Sequence, residues 1–362
     1  MKKSIFKIAI LLSLFIIVLS SCKKDDNDDD TNNDPVPNET SFDYIDLTEQ
    51  LASTEKAIFI NENEGWVLGR ESGNNTQSLI YTDDGGSTWA TMNSEILVAW
   101  GKIKFINSTD GYLVSNGVEY TTDKGITWNA IVFPNLDYPH TFYASASNST
   151  STVILASKDE NSSILFFVSN TTHEVTNSVE ITEMNYPGHK MHLSENGDIV
   201  IAAVERQGHN YKEIAYSSDN GTSWTYTEIV SEDPINVDDR DCELSFPDDN
   251  IGFFTAGGGR ANPFLYKTTN GGSSWTKTSI SSDVKYTNFD QISFADANNG
   301  LGIGRGDVYK TTDGGNTWTE LSYFSDNFLG TSTVSYPKAN FGFILGRDAT
   351  MTYHYIYKYT GQ

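Results

Sequence analysis

Hydrophobic and polar positions divide the chain into three parts. The first, residues 1–21, carries an almost wholly apolar run over residues 8–19. The second, residues 22–40, is almost devoid of apolar side chains. From residue 41 onward, short runs rich in Val, Ile, Thr, Tyr and Phe alternate with turns rich in Gly, Asn and Asp, and no long stretch has a helical period. This third part, residues 41–362, is therefore predicted to be one all-β domain.

Residues 1–21 have the features of an export signal. Lys2, Lys3 and Lys7 form a basic start, and the apolar run that follows is shorter than the roughly 20 residues of a transmembrane helix. The sequence Leu19-Ser20-Ser21-Cys22 resembles the lipobox of bacterial lipoproteins. That resemblance implies cleavage before Cys22 and attachment of lipid to its thiol. The alternative is an ordinary signal peptide followed by a chance cysteine.

Residues 22–40 are predicted to form a disordered tether. The segment is rich in Asp, contains Pro35 and Pro37, and cannot bury enough apolar surface to offset the entropy of ordering. Its start, Lys23-Lys24-Asp25-Asp26, resembles the signal that directs some Gram-negative lipoproteins to the outer surface. The expected location is therefore the cell envelope, as a surface-exposed outer-membrane lipoprotein. Attachment to the inner leaflet is the alternative.

The chain is strongly acidic, with 24 Lys and Arg against 48 Asp and Glu and a net charge of −24. Loss of the three lysines in the signal leaves 21 basic side chains and a net charge of −27. Such a charge repels phosphate backbones and anionic lipids, so no nucleic acid is expected as a partner and the membrane is contacted through the lipid anchor only. The second cysteine, Cys242, has no partner for a disulfide.

One eight-residue pattern, Ser/Thr-x-Asp-x-Gly-x-Ser/Thr-Trp, occurs five times, with Asn replacing Asp in the fourth copy. The copies begin at residues 82, 121, 217, 268 and 311, and their third positions are Asp84, Asp123, Asp219, Asn270 and Asp313. We interpret each copy as a tight turn between two strands. The Asp side chain accepts backbone N–H bonds, Gly takes a left-handed backbone angle, and Trp packs on the hairpin. These residues are predicted to be structural, not catalytic or metal-binding.

The five copies resemble the Asp box of the BNR-repeat families. Upstream of most copies, a Phe-x-Asn or Phe-x-Asp sequence precedes a Gly that opens an apolar strand, as at Phe59 and Gly65 or Phe105 and Gly111. The two elements cover about residues 55–360 and look most like the single-propeller BNR proteins related to the photosystem II assembly factor. The resemblance implies a β-propeller of four-stranded blades that acts as an assembly or binding scaffold. Sialidases also carry Asp boxes, but their Arg-Ile-Pro signature does not occur in this sequence.

The spacing of the copies predicts a single seven-bladed β-propeller. The interval between the second and third copies is long enough for two units, and a degenerate unit fits strands at residues 142–146, 153–157, 164–169 and 175–181. The last unit lacks its fourth strand, and residues 42–47 are a spare strand before the first blade. We expect this spare strand to complete the last blade and close the ring, which removes an open sheet edge. Six and eight blades are the alternatives.

The predicted binding surface is the face that carries the loops between the second and third strands of each blade and the connections between blades. All six arginines of the chain map to these loops: Arg70, Arg206, Arg240, Arg260, Arg305 and Arg347. Aromatic residues are expected beside them: Trp100, Tyr138, Tyr186, Tyr286, Phe289, Tyr323, Phe324 and Phe328. Arginine forks and exposed rings suit a protein or glycan surface. Local ion pairs with acids such as Glu71 and Glu205, and packing of the rings between blades, are the alternatives.

These features favour a binding or assembly scaffold that presents this face to an envelope protein. The alternative is a propeller that binds or cleaves a glycan, in the manner of a sialidase or glycosidase. The sequence contains no Gly-x-Ser-x-Gly nucleophile motif, and His189 and His192 lack a third ligand at metal-binding spacing. No catalytic residue, metal or cofactor is therefore predicted, and the expected state is a monomer.

Overall fold

The computed structural model describes residues 41–71, 76–96, 102–134, 141–159, 162–186, 188–206, 208, 212–229, 242–256, 264–280, 289–304, 306–321, 330–347 and 354–361. Within these ranges every regular element is a β-strand, and the strands form seven separate antiparallel sheets. This is a seven-bladed β-propeller, which confirms the predicted fold class and blade number.

We name the four strands of each blade a to d, from the central axis outward. Blade 1 contains β2 (Ser53–Phe59), β3 (Gly65–Arg70), β4 (Gln77–Thr82) and β5 (Ala90–Ile96). Blade 2 contains β6 (Lys102–Phe105), β7 (Gly111–Val114), β8 (Val118–Thr121) and β9 (Asn129–Ala130). Blade 3 contains β10 (Phe142–Ser147), β11 (Ser151–Ser157), β12 (Ser163–Ser169) and β13 (Val175–Ile181).

Blade 4 contains β15 (Lys190–Leu193), β16 (Ile199–Arg206), β17 (Glu213–Ser217) and β18 (Thr225–Glu228), and the short strand β14 (Met184–Tyr186) also pairs with β16. Blade 5 contains β19 (Cys242–Ser245), β20 (Gly252–Ala256), β21 (Phe264–Thr268) and β22 (Thr276–Ser279). Blade 6 contains β23 (Gln291–Phe294), β24 (Gly300–Gly304), β25 (Asp307–Thr311) and β26 (Thr319–Glu320). Blade 7 contains β27 (Gly330–Lys338), β28 (Phe341–Arg347), β29 (His354–Thr360) and β1 (Ser41–Asp46).

The ring is closed by a strand from the beginning of the third part of the chain. β1 pairs antiparallel with β29, in a register that runs from Ser41 opposite Thr360 to Asp46 opposite Tyr355. Directly after β1, the fully buried Leu47 donates its backbone N–H to the carbonyl of His354 at 2.9 Å. The predicted closing strand is confirmed, and it covers the edge that β29 would otherwise leave open.

Blade 3 lacks the eight-residue motif and still forms a full blade, with strands within two residues of their predicted positions. Its c–d turn contains Asn170, whose side-chain oxygen accepts hydrogen bonds from Thr152 Oγ1 at 2.7 Å and from the Tyr112 hydroxyl at 3.0 Å. Tyr112 belongs to blade 2, so this turn also ties two blades together.

The five motif copies form c–d turns, which we call the box turns. In blade 1, Asp84 Oδ1 accepts the backbone N–H of Thr88 at 2.9 Å and the Thr82 hydroxyl at 2.8 Å. Hydrogen bonds to its carboxylate lower the pKa of Asp84 to about 2. The bond from the backbone N–H of Thr88 has the largest effect, and the bond from the Thr88 hydroxyl has the next largest. Gly86 has φ +89°, and its carbonyl accepts the indole N–H of Trp89 at 3.0 Å. The carboxylate of Asp84 is therefore engaged in hydrogen bonds within its own turn.

The other box turns repeat this bonding, with one chemical variation. In blade 5, Asn270 Oδ1 accepts the backbone N–H of Ser274 at 3.1 Å. Its Nδ2 then donates to Ser274 Oγ at 2.9 Å, whereas an aspartate accepts from that hydroxyl. Because the hydroxyl can donate or accept, the turn tolerates the replacement.

An aromatic residue near the end of strand a packs blades against their predecessors. Phe105 of β6 stacks flat on Trp66 of β3, with ring centroids 3.7 Å apart and planes 4° from parallel. The same ring meets the box-turn Trp128 of its own blade obliquely at 6.3 Å. Phe59 and Phe294 stack in the same way on the preceding blades, at 3.4 and 3.5 Å. These contacts fix the innermost strands, which carry the candidate site.

Candidate binding channel and loop face

The innermost strands of the seven blades enclose a channel on the propeller axis. Its volume is about 510 Å³, and every blade contributes residues to its wall. Strand a begins where the chain arrives from the preceding blade, so the b–c and d–a connections lie at one end of the channel, which we call the loop face. The a–b connections and the box turns lie at the other end, the box face.

The channel wall is built in two tiers, because residues two apart on a strand point to the same side. In six blades a large apolar residue lies near the end of strand a. The first-tier residue stands three positions before it, and the second-tier residue stands one position before it. The first tier is Lys56, Lys102, Lys190, Glu243, Gln291 and Thr333. The second tier is Ile58, Lys104, His192, Ser245, Ser293 and Ser335. The first tier is nearer the loop face, because strand a starts there.

Positive charge dominates the described channel wall, which holds four lysines and one glutamate. Lys190 Nζ lies 2.6 Å from Glu243 Oε1. Lys102 donates to two backbone carbonyls, one of them that of His189 at 3.2 Å. Among the described residues, Lys56 and Lys104 make neither a hydrogen bond nor an ion pair. Both ammonium groups therefore line the channel of an acidic protein without a direct ion pair to a described residue, although the carboxylate of Glu243 acts on Lys56 from a longer distance.

Confinement alters the protonation of these amines. Burial, with the nearby Lys190 next in importance, lowers the pKa of Lys56 to about 8. Burial also lowers the pKa of Lys104, although solvent reaches this side chain within the channel. Near neutral pH the amine of Lys56 remains charged, at a cost in free energy that a bound anion would relieve.

His192 adds an unsatisfied polar atom to the second tier. Its ring stacks on Phe246 of the next blade, with centroids 3.8 Å apart and planes 2° from parallel. Its Nε2 is buried and has no hydrogen-bond partner among the described residues. Burial, with the charge of Lys104 second, lowers the pKa of His192 to about 3, so the imidazole is neutral.

Sequence reasoning missed the channel because it looked for binding residues in the loops. A signal was nevertheless present. Lys56, Lys102 and Lys190 stand at the same offset in three repeats, three residues before the apolar end of strand a. In a propeller, one repeat position faces the axis in every blade. A lysine that recurs at that position therefore indicates a cationic channel.

The described residues place three of the six predicted arginines, each at the end of a strand b. Arg70 ends β3 and Arg347 ends β28, in blades 1 and 7, which are neighbours in the closed ring. They hold the same register position, paired with Ser53 and Gly330 on strand a. Arg70 Nε lies 3.2 Å from Glu55 Oε1. The two arginines therefore occupy equivalent positions on neighbouring blades at the loop face, on strand ends and not within loops.

Arg206, at the end of β16, is engaged within its own blade. Its Nε and Nη2 donate to the two carboxylate oxygens of the buried Glu213 at 2.6 and 2.7 Å, and its guanidinium lies 4.0 Å from the ring centre of Tyr226. The sequence neighbour Glu205 pairs instead with Lys212 at 3.3 Å. The guanidinium group of Arg206 thus stabilises the packing of blade 4 through both its hydrogen bonds to Glu213 and its contact with the Tyr226 ring.

Several predicted site residues lie outside the described residues: Cys22, Trp100, Tyr138, Arg240, Arg260 and Arg305, together with Tyr286, Tyr323, Phe324 and Phe328. Tyr186 belongs to β14. The expectation that Phe289 lies among the exposed aromatic residues of the loop face is wrong. Phe289 is fully buried in the core of blade 6, with its ring centroid 4.5 Å from that of the box-turn Trp318.

The box face carries a second depression, of about 530 Å³. At its centre the Tyr81 hydroxyl donates to Glu64 Oε1 at 3.0 Å and accepts from Lys124 Nζ at 3.1 Å. At its rim Lys338 Nζ lies 2.6 Å from Glu62 Oε1. Both lysines of this depression thus have a hydrogen-bond or ion-pair partner, in contrast to Lys56 and Lys104 of the channel.

The described ranges contain neither a metal site nor a membrane-spanning helix. No group of three or more His, Cys, Asp or Glu side chains in these ranges could hold a metal ion. No helix in the described part of the chain is long and apolar enough to cross a membrane.

Comparison with known proteins identifies structural neighbours. No protein-family model matches the chain, and no curated protein matches its sequence. A solved structure of YCF48 bound to D1 peptide matches with a TM-score of 0.59 and 17% identity, over 89% of this chain and 97% of that chain. YCF48 from Cyanidioschyzon merolae gives 0.58 and 15%, over 88% and 98%.

An enzyme is also among the neighbours. Oligogalacturonate lyase from Vibrio parahaemolyticus matches with a TM-score of 0.55 and 9% identity, over 89% of this chain and 97% of that chain. At such identities the likeness concerns the fold. The chain is therefore a seven-bladed β-propeller that shares its fold with YCF48 and with oligogalacturonate lyase.

Proposed function

We propose that this protein is a lipid-anchored binding scaffold of the bacterial cell envelope, which holds a protein partner on the loop face of its propeller. Lipid on Cys22 and the acidic tether of residues 22–40 attach the propeller to the outer membrane. The sequence features of residues 1–40 support this location.

The placement of Arg70 and Arg347 carries the proposal. Both side chains lie at the same register position on neighbouring blades, and the side chain of Arg70 is 49% exposed. In a chain of net charge −24, two guanidinium groups on rigid strand ends suit the carboxylates of a partner. A rigid scaffold also loses little conformational entropy when it binds.

The solved neighbours support a polypeptide ligand. YCF48, which has the same fold, is solved with a D1 peptide, so a propeller of this kind accommodates a peptide segment. For this chain we expect a segment rich in Asp and Glu, because the arginines at the strand ends of the loop face are cationic.

An acidic glycan is the second candidate ligand. The channel lysines favour it, because the carboxylates of uronic acids need cationic partners. Oligogalacturonate lyases, whose name gives a substrate of this kind, have the same fold. Under this alternative the protein binds or cleaves the glycan at the loop-face end of the channel.

Capture from envelope extract tests the proposal. The variant Arg70→Gln/Arg347→Gln removes two charges from the loop face, and Lys124→Gln/Lys338→Gln removes two from the box face as a matched control. We expect one partner protein to be captured by the wild type and the control, and about tenfold less by the arginine variant. Equal capture by all three contradicts the proposal. Binding or turnover in a parallel screen of acidic polysaccharides, without protein capture, assigns the alternative.

A further inference from the structure

We propose that the channel contains a binding site for a small oxyanion of the carboxylate or phosphate class, formed by Lys56 and Lys104 with His192, Ser245 and Ser293. This site is distinct from the surface of the proposed function, because none of its residues belongs to the loops or to the strand-end arginines.

Unbalanced charge is the first argument. Within the described channel wall, Glu243 is the acidic side chain, and it is already paired with Lys190. Lys56 and Lys104 make no hydrogen bond or ion pair with any described residue. Like charges held together in a confined space repel one another, and a bound anion converts that repulsion into attraction. In a protein this acidic, few other surfaces would attract a free anion.

Donor geometry is the second argument. Ser245 Oγ accepts the backbone N–H of Phe294 at 2.9 Å, and Ser293 Oγ accepts that of Tyr336 at 3.0 Å. A hydroxyl that accepts still has its own proton to donate. The second tier therefore offers hydroxyl protons from blades 5 and 6 and an ammonium group from blade 2. Oxyanions are held by such combinations of charged and neutral donors.

The unsatisfied His192 is the third argument. A buried polar atom without a partner usually indicates a bound water, ion or ligand. Nε2 of this neutral ring donates a hydrogen bond to an anion when it carries the ring proton. The channel volume of about 510 Å³ falls within the range of small-molecule sites, about 300–1,000 Å³, so the occupant is a small molecule and not a folded segment.

Calorimetric titration with inorganic phosphate and with citrate, at constant ionic strength set with chloride, tests the proposal. We expect saturable binding of at least one anion to the wild type. Lys56→Gln/Lys104→Gln should weaken it about tenfold or more, and the box-face control Lys124→Gln/Lys338→Gln should leave it unchanged. Citrate binding without phosphate binding assigns the carboxylate class, and the reverse assigns the phosphate class. If neither anion binds, or if the channel variant binds equally well, the proposal is wrong.

A variant expected to bind more tightly tests the site independently, in case the lysine variant does not fold. Glu243→Gln removes the competing carboxylate and releases Lys190, so the anion should bind more tightly than to the wild type. An unchanged or weaker affinity in this variant, with the fold intact by circular dichroism, also contradicts the site. If the wild type binds neither anion but captures its partner, the channel site is wrong and the proposed function stands. Anion binding without any captured partner would do the opposite.

Discussion

Lys190 Nζ donates to Glu243 Oε1 at 2.6 Å, and this pair joins the innermost strands of blades 4 and 5 inside the channel. The pair balances one lysine of the described channel wall. Its carboxylate also acts to keep the nearby Lys56 charged, against burial and the charge of Lys190. Glu243 therefore contributes to both the stability and the charge state of the channel.

We expect Glu243→Gln to lower the free energy of unfolding by about 1–2 kcal/mol, because it leaves another ammonium group without a counter-ion in a partly buried site. Urea denaturation measures this change. The double variant Lys190→Met/Glu243→Met removes both charges and should be close to the wild type in stability. A double variant that is less stable than Glu243→Gln would show that the pair matters for packing and not for charge.

The amine of Lys56 makes stability depend on pH. Its folded pKa of about 8 lies below the ordinary value of 10.5, so the charged form costs stability below pH 8. Between pH 8 and 10.5 the folded state has released a proton that the unfolded state still holds, and stability should rise with pH. Relative to Lys56→Met, the wild type should gain up to about 3 kcal/mol across this interval. Parallel stability curves for the two proteins would contradict the assignment.

The box turns should tolerate no side chain at the glycine of the motif. Gly125 has φ +90°, and a Cβ there would lie 2.5 Å from Leu79 Cδ2 of the preceding blade. Gly125→Ala should therefore cost about 2–4 kcal/mol. Gly117, in the same blade, has no atom of the described residues within 4 Å of the place a Cβ would take, and Gly117→Ala is its control. If the midpoint of thermal unfolding shifts equally for both variants, the glycine of the box turn is not required for stability.

Ring closure depends on one side of β1. Ile45 packs on the core shared with blade 1 and contacts Gly86 of the first box turn. Tyr44, on the other side, is 63% exposed. Ile45→Asp should lower the free energy of unfolding by about 2–4 kcal/mol, and Tyr44→Asp by about 1 kcal/mol or less. Denaturation curves decide the point, and equal effects would mean that β1 does not close the ring through this packing.

The repeated sequence motifs made most of the fold predictable. The Trp and Gly of each box turn set the register of strands c and d, and Phe59 and Phe105 mark the ends of strand a. Even blade 3, without a motif, was placed by its alternating apolar residues. The spare strand at residues 41–46 followed from counting strands, because the last blade otherwise had three.

The candidate site was less predictable, because it depends on which way side chains point across blades. Lys56 and Lys104 become neighbours only when blades 1 and 2 pack side by side around the axis, although they lie far apart in sequence. Phe289 looked like a loop residue, but the path of its connection turns it into the core. Glu213 could not be identified as the partner of Arg206 without the pairing of β16 and β17.

Site-specific photo-crosslinking in intact cells tests the central claim most directly. Asn116 lies exposed in the b–c connection of blade 2, on the loop face, and Asp83 lies exposed in a box turn on the opposite face. With the crosslinker at Asn116 we predict one defined protein adduct, reduced about tenfold by Arg70→Gln/Arg347→Gln, and with the crosslinker at Asp83 we predict none. An adduct from Asp83 alone, equal adducts from both faces, or no adduct from Asn116 would contradict a scaffold that binds its partner through the loop face.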